Sequence, residues 1–292
     1  MDQSAWVTER FDEHRGRLRA VAYRMLGSLS EADDAVQEAW LRLNRADTDE
    51  VDNLAAWLTT VVSRVCLNML RSRETRREEP LEVHMPDPLI SRADGLDPEQ
   101  EALLADSVGL AMLVVLDTLV PAERLAFVLH DMFAVPFDEI APMLERSPAA
   151  TRQLASRARR RVRDAAPAPD PDLASQRKVV DAFFAAARDG DLDALVSVLD
   201  PDVVLRADGG GARGRATFAV RGPRNVLEHT VTGARWASAV RPALVNGGAG
   251  VVVAMDDQVW SVMGFTVVDG RIVAIDVLWD PERLAELDLS AL

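Results

Sequence analysis

Apolar residues recur at three- and four-residue spacing through the first 164 positions and change to short runs and alternation beyond 175, so the chain divides into helical and mixed parts. Leu18, Val21, Ala22, Met25 and Leu26 make one helical stripe that Gly27 ends. Ser30, with Asp33 three residues on, reads as the N-cap of a second helix whose inner stripe is Ala32, Val36, Ala39, Trp40 and Leu43. A charge-rich turn, Asn44 to Asp52, leads to Asn53 as the next cap. The helix that follows buries Leu54, Trp57, Leu58, Val61, Val62, Val65 and Met69. Residues 79–98 are proline-rich with weak periodicity, which predicts a linker between a first domain at 1–78 and a second at 99–164.

In the second domain Leu113, Leu116 and Leu119 precede a stop at Pro121, and a helix through Phe127, Val128 and Met132 follows. Phe137 to Leu144 then reads as a short helix, and Ser147-Pro148 supplies an N-cap and first-turn proline for the next. Ala150, Leu154, Ala158 and Val162 are its expected buried stripe. Two short helices across a tight turn, the second one basic, are the sequence pattern of a helix-turn-helix. A stiff proline-rich linker over 165–174 separates these helices from a domain at 175–292. There, two helices (Gln176 to Arg188 and Asp191 to Leu199) precede strand-like runs at Val203 to Arg206, Arg235 to Val245, Val251 to Met255, Val259 to Val268 and Ile272 to Leu278. Asp269-Gly270 marks a hairpin. The predicted fold class is therefore multi-domain, two all-α domains followed by an α+β domain.

Composition restricts the function. The net charge of -14 counts against unaided binding to a polyanion, but the distribution is uneven. Residues 152 to 163 hold six arginines and no acid, and 64 to 77 hold five arginines against Glu74 alone. Two basic stripes on an acidic chain predict weak attraction to free DNA and effective binding only when a partner positions both. A single cysteine, Cys66, excludes an internal disulfide, and the scattered histidines His14, His84, His130 and His229 show no metal-ligand spacing. No metal or cofactor is expected. Neither a signal core nor an apolar run of the roughly 18 residues a membrane span needs is present, which predicts a cytoplasmic chain without a membrane partner.

The run Asp33-Asp34-Ala35-Val36-Gln37-Glu38-Ala39-Trp40-Leu41-Arg42-Leu43, the later Ala56-Trp57-Leu58 and the helix pair from Phe137 to Val162 resemble, in order and spacing, the extracytoplasmic-function sigma factors of the sigma-70 family. The third domain, with Asp208-Gly209-Gly210-Gly211 and Asp280-Pro281-Glu282-Arg283-Leu284, is similar to the SnoaL-like α+β cone that one subgroup of that family carries at its C-terminus. Met85-Pro86-Asp87-Pro88 stands where that subgroup has a Trp-Leu-Pro-Glu run, and Glu145 stands where the turn of the helix pair usually has glycine.

The resemblance implies an alternative sigma factor that directs RNA polymerase to particular promoters, not an enzyme. Asp34, Gln37, Glu38 and Arg42 would dock on the clamp of the polymerase's largest subunit. Asn53, Trp57, Val61, Arg64, Asn68 and Arg71 would meet the downstream promoter element, although the spacing of Trp57 also fits a core residue. The stripe pattern turns Arg152, Gln153, Ser156, Arg157 and Arg160 outward as candidate contacts to the upstream element. In the third domain Asp208, Gly209, Gly210, Gly211, Asp280, Pro281 and Arg283 are motif residues, and the resemblance implies that this domain tunes the activity of the same chain. Asp208, Glu228, His229 and Asp276 are candidates for acid–base chemistry, and Trp236, Trp260 and Trp279 for lining a small-ligand pocket or filling a core. Two other classes stay open: a one-component, ligand-responsive regulator that binds its operator alone, and a SnoaL-type enzyme with tethered helices.

Overall fold

The structure, a computed structural model, describes residues 3–45, 53–75, 84–92, 109–165, 168–211, 215–233, 239–256 and 258–287. Contacts divide the chain into a helical body (1–79, 101–106, 115–165) and a sheet body (80–100, 107–114, 166–292). Among the described residues no helix is long and apolar enough to cross a membrane.

In the helical body α1 (Gln3–Leu26), α2 (Leu29–Leu43) and α3 (Leu54–Thr75) pack against one another; the predicted stripe is buried throughout in α1 and at all but Trp40 in α2, whereas in α3 Leu58, Val62 and Val65 are buried and Leu54, Trp57, Val61 and Met69 only half-buried. Gly27, in the left-handed region at φ 73°, ends α1. Ser28, not Ser30, caps α2: its hydroxyl accepts from the Glu31 amide, and the cap lies two residues early because α2 begins directly after the glycine. Asn53 caps α3, its side-chain oxygen accepting from Ala56 N at 3.0 Å. Trp40 is only half-buried and rests against Phe11, their ring centroids 4.9 Å apart. Cys66 is fully buried, and burial pushes its thiol up to about 12, which leaves it inert.

The second helical set belongs to the same body. It comprises the last three residues of α4 (Leu110–Asp117), whose first five belong to the sheet body, then α5 (Pro121–Phe127), a π-helical turn (Val128–Met132), α6 (Phe137–Ile140) with a short 3₁₀ extension (Ala141–Met143), and α7 (Pro148–Ala165). Its anchor is Arg124, 1% exposed. This arginine donates to the Arg24 carbonyl near the end of α1 at 3.2 Å and to Asp117 at 2.8 Å. A guanidinium at a helix C-terminus also meets the negative end of the helix dipole. Arg17 donates to the Phe133 carbonyl at 3.0 Å, and the Arg24 guanidinium lies 5.0 Å from the Phe133 ring centroid.

The turn between α6 and α7 places Glu145 at φ 53°, a region in which side chains with a Cβ are strained. Ser147 then caps α7 through the Ala150 amide at 3.3 Å, with Pro148 at its first position. The buried stripe of α7 is Thr151, Leu154, Ala155, Ala158 and Val162. Ala150, expected in it, lies in the first turn and is only half-buried, with Thr151 buried beside it.

The sheet body has a seven-stranded sheet in the order β1-β4-β5-β6-β7-β2-β3: β1 (Ile90–Arg92), β2 (Leu199–Asp208), β3 (Phe218–Arg221), β4 (Val240–Val245), β5 (Gly248–Met255), β6 (Gln258–Val268) and β7 (Arg271–Leu278). Neighbours are antiparallel except β2 and β7. One face packs on α8 (Leu173–Asp189), α9 (Leu192–Val198) and α10 (Pro223–Gly233) through Phe183, Leu195, Val226, Phe265 and Ile275. The other face carries Ala243, Val245, Val252, Val262 and Leu278, covered by Met85, Ile90, Leu110 and, from α11 (Pro281–Glu286) and its end, Leu284 and Leu287. This is the expected α+β cone, with one addition. Within 79–98, read from sequence as a linker, residues 84–92 lie on the sheet and supply its edge strand, while 79–83 and 93–98 lie outside the described residues.

Glu145→Gly removes the left-handed penalty at an exposed position and should stabilise the helical body by about 0.5–1 kcal/mol, after the extra backbone freedom glycine gains in the unfolded chain. Urea unfolding followed by helical circular dichroism checks this; an unchanged or lowered midpoint would refute it.

Candidate functional site

Three groups of predicted residues are assembled by the fold, each on one surface. On α2, Asp34, Gln37 and Arg42 are exposed and Glu38 is half-buried, with a Glu38–Arg42 ion pair at 2.8 Å along the helix. Leu41 lies among them at 41% exposure, an apolar side chain on a polar face that periodicity alone does not single out. Asp33, beside this face, is held by Arg19 at 2.6 Å.

On α3, Trp57, Val61, Arg64, Asn68 and Arg71 follow one another at helical spacing along one face. Arg64, Asn68 and Arg71 are exposed and Trp57 and Val61 half-buried, so Trp57 is not a fully buried core residue. Asn53 belongs to the start of this helix as its cap. Arg73, on another side, is committed to Glu31 and to the Leu26 carbonyl.

On α7 all five predicted residues, Arg152, Gln153, Ser156, Arg157 and Arg160, are exposed. The arginines are not equivalent. Arg157 donates to Glu123 at 2.7 Å, and Arg161, one turn on, approaches the other oxygen of the same carboxylate at 3.1 Å. Glu123 is 4% exposed. A carboxylate that deep is tolerated only when paired, so two arginines of the basic helix tie it to α5. Arg159 does the same with Asp131 at 2.5 Å. Arg152 lies 5.3 Å from the Phe137 ring centroid, across the two helices of the pair. The sequence signal for the Glu123 tie is the four-residue spacing of Arg157 and Arg161, which was legible only as charge.

In the sheet body the two motif segments and the 84–92 segment meet. Asp208, 1% exposed at the end of β2, accepts from Met85 N at 2.9 Å, from the Arg283 guanidinium at 2.9 Å and from Gly210 N at 3.0 Å. His84 Nδ1 lies 3.7 Å from the same carboxylate. Arg283 also donates to Asp87 at 3.0 Å and to the Met85 carbonyl at 2.5 Å. Asp280 caps α11 through Glu282 N, with Pro281 at its first position. Gly210, at φ 63°, comes so close to Asp280 that a Cβ would fall on its carboxylate. At Gly209 a Cβ would meet the Arg215 backbone. Met85-Pro86-Asp87-Pro88 is buried throughout and holds its place by backbone groups and one carboxylate, so a Trp-Leu-Pro-Glu run is not needed for this docking.

The acid–base candidates have other partners. Asp208 is tied to Arg283, and Asp276 to Arg206 at 2.6 Å. Burial opposes the charge of Arg206, but Asp276 more than offsets this and raises its pKa above the ordinary guanidinium value. His229 stacks on Phe218 at 4.4 Å and bonds the Asn225 carbonyl. Trp260 lies under the Arg215 guanidinium, Trp279 donates to the Ala216 carbonyl, and Trp236 lies outside the described residues. Among the described residues no group of three or more acidic, histidine or cysteine side chains could hold a metal.

Family models agree with this geometry: Sigma-70 region 2 matches residues 10–76 and Sigma-70, region 4 matches 110–162. ECF RNA polymerase sigma factor SigJ of Mycobacterium tuberculosis is 43% identical over 285 residues, covering 92% of this chain and 89% of that protein. The chain belongs to the extracytoplasmic-function sigma factors. The probable ECF RNA polymerase sigma factor SigI of the same species is 36% identical over 296 residues, covering 98% of each chain. The crystal structure of M. tuberculosis SigJ superposes on this sigma factor with a TM-score of 0.79 and 36% identity, covering 97% of this chain and 99% of that one. The two α domains and the SnoaL-like extension are thus matched together. The candidate faces on α2 and α3 lie in region 2, and that on α7 in region 4.

Gly210→Ala adds a Cβ where the backbone is left-handed and Asp280 leaves no room, so it should destabilise the sheet body by about 1–3 kcal/mol. Thermal unfolding followed by β-sheet circular dichroism reads this, and a melting temperature equal to the parent's would refute the close approach.

Proposed function

We propose that this sigma factor docks on the polymerase clamp through α2, meets the downstream promoter element through α3 and the upstream element through α7, and that its SnoaL-like extension tunes that activity. The observation that carries the reading is the segregation of charge. An acidic chain of net charge -14 keeps exposed arginines on two helical faces, one in each sigma region. Phosphate contact by those arginines supplies attraction that ions screen, and a bidentate arginine to guanine supplies sequence preference. The surrounding acidity disfavours DNA binding by the free chain, which makes the polymerase part of the site.

Within α7 the ties to Glu123 and Asp131 divide the arginines by task. Arg157, Arg159 and Arg161 orient the helix, and Arg152 and Arg160, with Gln153 and Ser156, are presented to the groove. On α2, Leu41 adds an apolar contact in the middle of the docking face, where interface cores are depleted of charge. An unidentified small ligand of the extension gains no support from the arrangement of Asp208, Asp276 and His229.

Glu38→Lys reverses charge beside Arg42 at a cost to the helix of only a few tenths of a kcal/mol. It should abolish co-purification with core polymerase while the melting temperature stays within about 2 °C of the parent's; retained co-purification would remove α2 as the docking face. Arg160→Ala should lower promoter-specific transcription about tenfold, as expected for the loss of one good base contact, with stability unchanged. Arg157→Ala should in addition lose about 0.5–1 kcal/mol of stability, because its guanidinium, 54% exposed, is tied to Glu123. Run-off transcription and urea unfolding on both variants test the division, and equal stability losses in the two would overturn it.

A further inference from the structure

We infer that Phe137 positions the Arg152 guanidinium to read a guanine in the upstream promoter element, and so sets sequence preference through another side chain. The inference rests on the promoter-binding reading of α7 above and adds a residue which that reading leaves out. Phe137 opens α6, the first helix of the pair, and stands between two other groups. His130, from the π-helical turn, stacks on it with ring centroids 3.8 Å and planes 25° apart. One face of the phenyl ring is thereby covered, and the Arg152 guanidinium lies over the ring at 5.3 Å from its centroid. Imidazole, phenyl and guanidinium form one stack, drawn from the π-helical turn, α6 and α7.

The two aromatic layers are fixed by the protein itself. The carbonyl of the buried Val135 lies 3.0 Å from His130 Nδ1, and a carbonyl can only accept, so that nitrogen carries the proton. The Val135 amide donates to the Leu129 carbonyl at 2.9 Å, which closes the loop between the π-helical turn and α6. Pro136 then sets the entry to α6 with its ring-locked φ. His130 and Phe137 are half-buried and Arg152 is exposed, so a supported pair of rings presents the guanidinium at the surface.

How an arginine is held decides what it can do. A carboxylate binds a guanidinium by its N–H edge, as Glu123 binds Arg157 and Asp131 binds Arg159, and occupies donors there. A ring binds it by the flat face and leaves the edge donors open, in the fork that matches guanine O6 and N7. Arg152 also stands four residues beyond Pro148, in the early turns of a recognition helix that meet base edges. A long side chain loses rotamer freedom when it binds, and one already resting on a ring loses less. The phenyl face therefore strengthens the base contact by orienting its donor.

The test is run-off transcription by holoenzyme reconstituted from core polymerase and the full chain, on a promoter the parent uses and on versions with each upstream-element base pair replaced in turn. For each chain the output on a replaced promoter is divided by its output on the original, so a partly unfolded sample lowers both alike. At one guanine the parent should prefer the original base about tenfold or more, and Arg152→Ala should reduce that preference to about twofold or less. Phe137→Leu and Phe137→Met keep apolar bulk without an aromatic face, and each should lower the preference about threefold at that position alone. Phe137→Tyr should keep it at the parent's value. In the Arg152→Ala background, Phe137→Leu should change it no further. Parent-like preference in both Phe137→Leu and Phe137→Met, or an equal loss at every position, would overturn the positioning role. So would an Arg152→Ala chain that keeps its preference at every guanine. Absence of promoter-specific transcripts from the parent, or of any upstream-base preference in it, would instead overturn the promoter-binding reading of α7 and this inference with it.

Discussion

An ion taken out of water must find its partners inside the protein, and both bodies of this chain are organised by that requirement. In the helical body the ion is Arg124, which donates to the end of α1 and to Asp117 and so fastens region 4 to region 2. In the sheet body it is Asp208, whose oxygens are filled by a loop amide, a backbone group from residue 85 and a guanidinium from residue 283. Hydrophobic burial supplies most of the stability in each body, but it is indifferent to which segments meet. A buried charge is not indifferent, since a segment that drifts away leaves it unpaired at a cost of several kcal/mol. Such groups therefore decide which distant parts of the chain stay together.

The same reasoning separates two uses of arginine in α7. A guanidinium held by a buried carboxylate contributes to where the helix sits, whereas one exposed without such a hold is available to phosphate and base. Counting six arginines in twelve residues reveals the basic stripe but not this division, because the carboxylate that creates it, Glu123, lies 34 residues away and is buried only after folding.

What could be read from the sequence follows from how local each cause is. The stripes of α1 and α2, the inner positions Leu58, Val62 and Val65 of α3, the cap at Asn53, the Ser147-Pro148 start of α7 and the exposure of its five outward residues are set by periodicity and one-residue chemistry, and appear in the structure. The cap at Ser28 was displaced because Gly27 can be followed by either serine in the sequence, and only the backbone decides between them. Residues 84–92 were read as linker for a stronger reason. Two prolines and no periodicity describe a segment that makes no structure by itself, and its strand exists only because β4 offers an unpaired edge, with Asn246 completing the match. Recognition of the family compensated for some of this by marking Asp208 to Gly211 and Asp280 to Arg283 as motifs, without saying what they hold.

The held segment sets the third domain apart from an independent appendage. A domain appended after region 4 through its own linker can swing without consequence for the helices it follows. Here the sheet body also takes in the chain before region 4, at Met85 to Arg92, and again at Leu110, so that its outer core is built from segments on both sides of region 4 in the sequence. Any change that loosens Asp208 or Arg283 therefore loosens a segment more than a hundred residues earlier in the chain. Coupling of this kind requires no signal to pass through the helical core: a few polar bonds at the end of one strand keep distant segments together, because releasing either one would leave the buried Asp208 carboxylate without its partners.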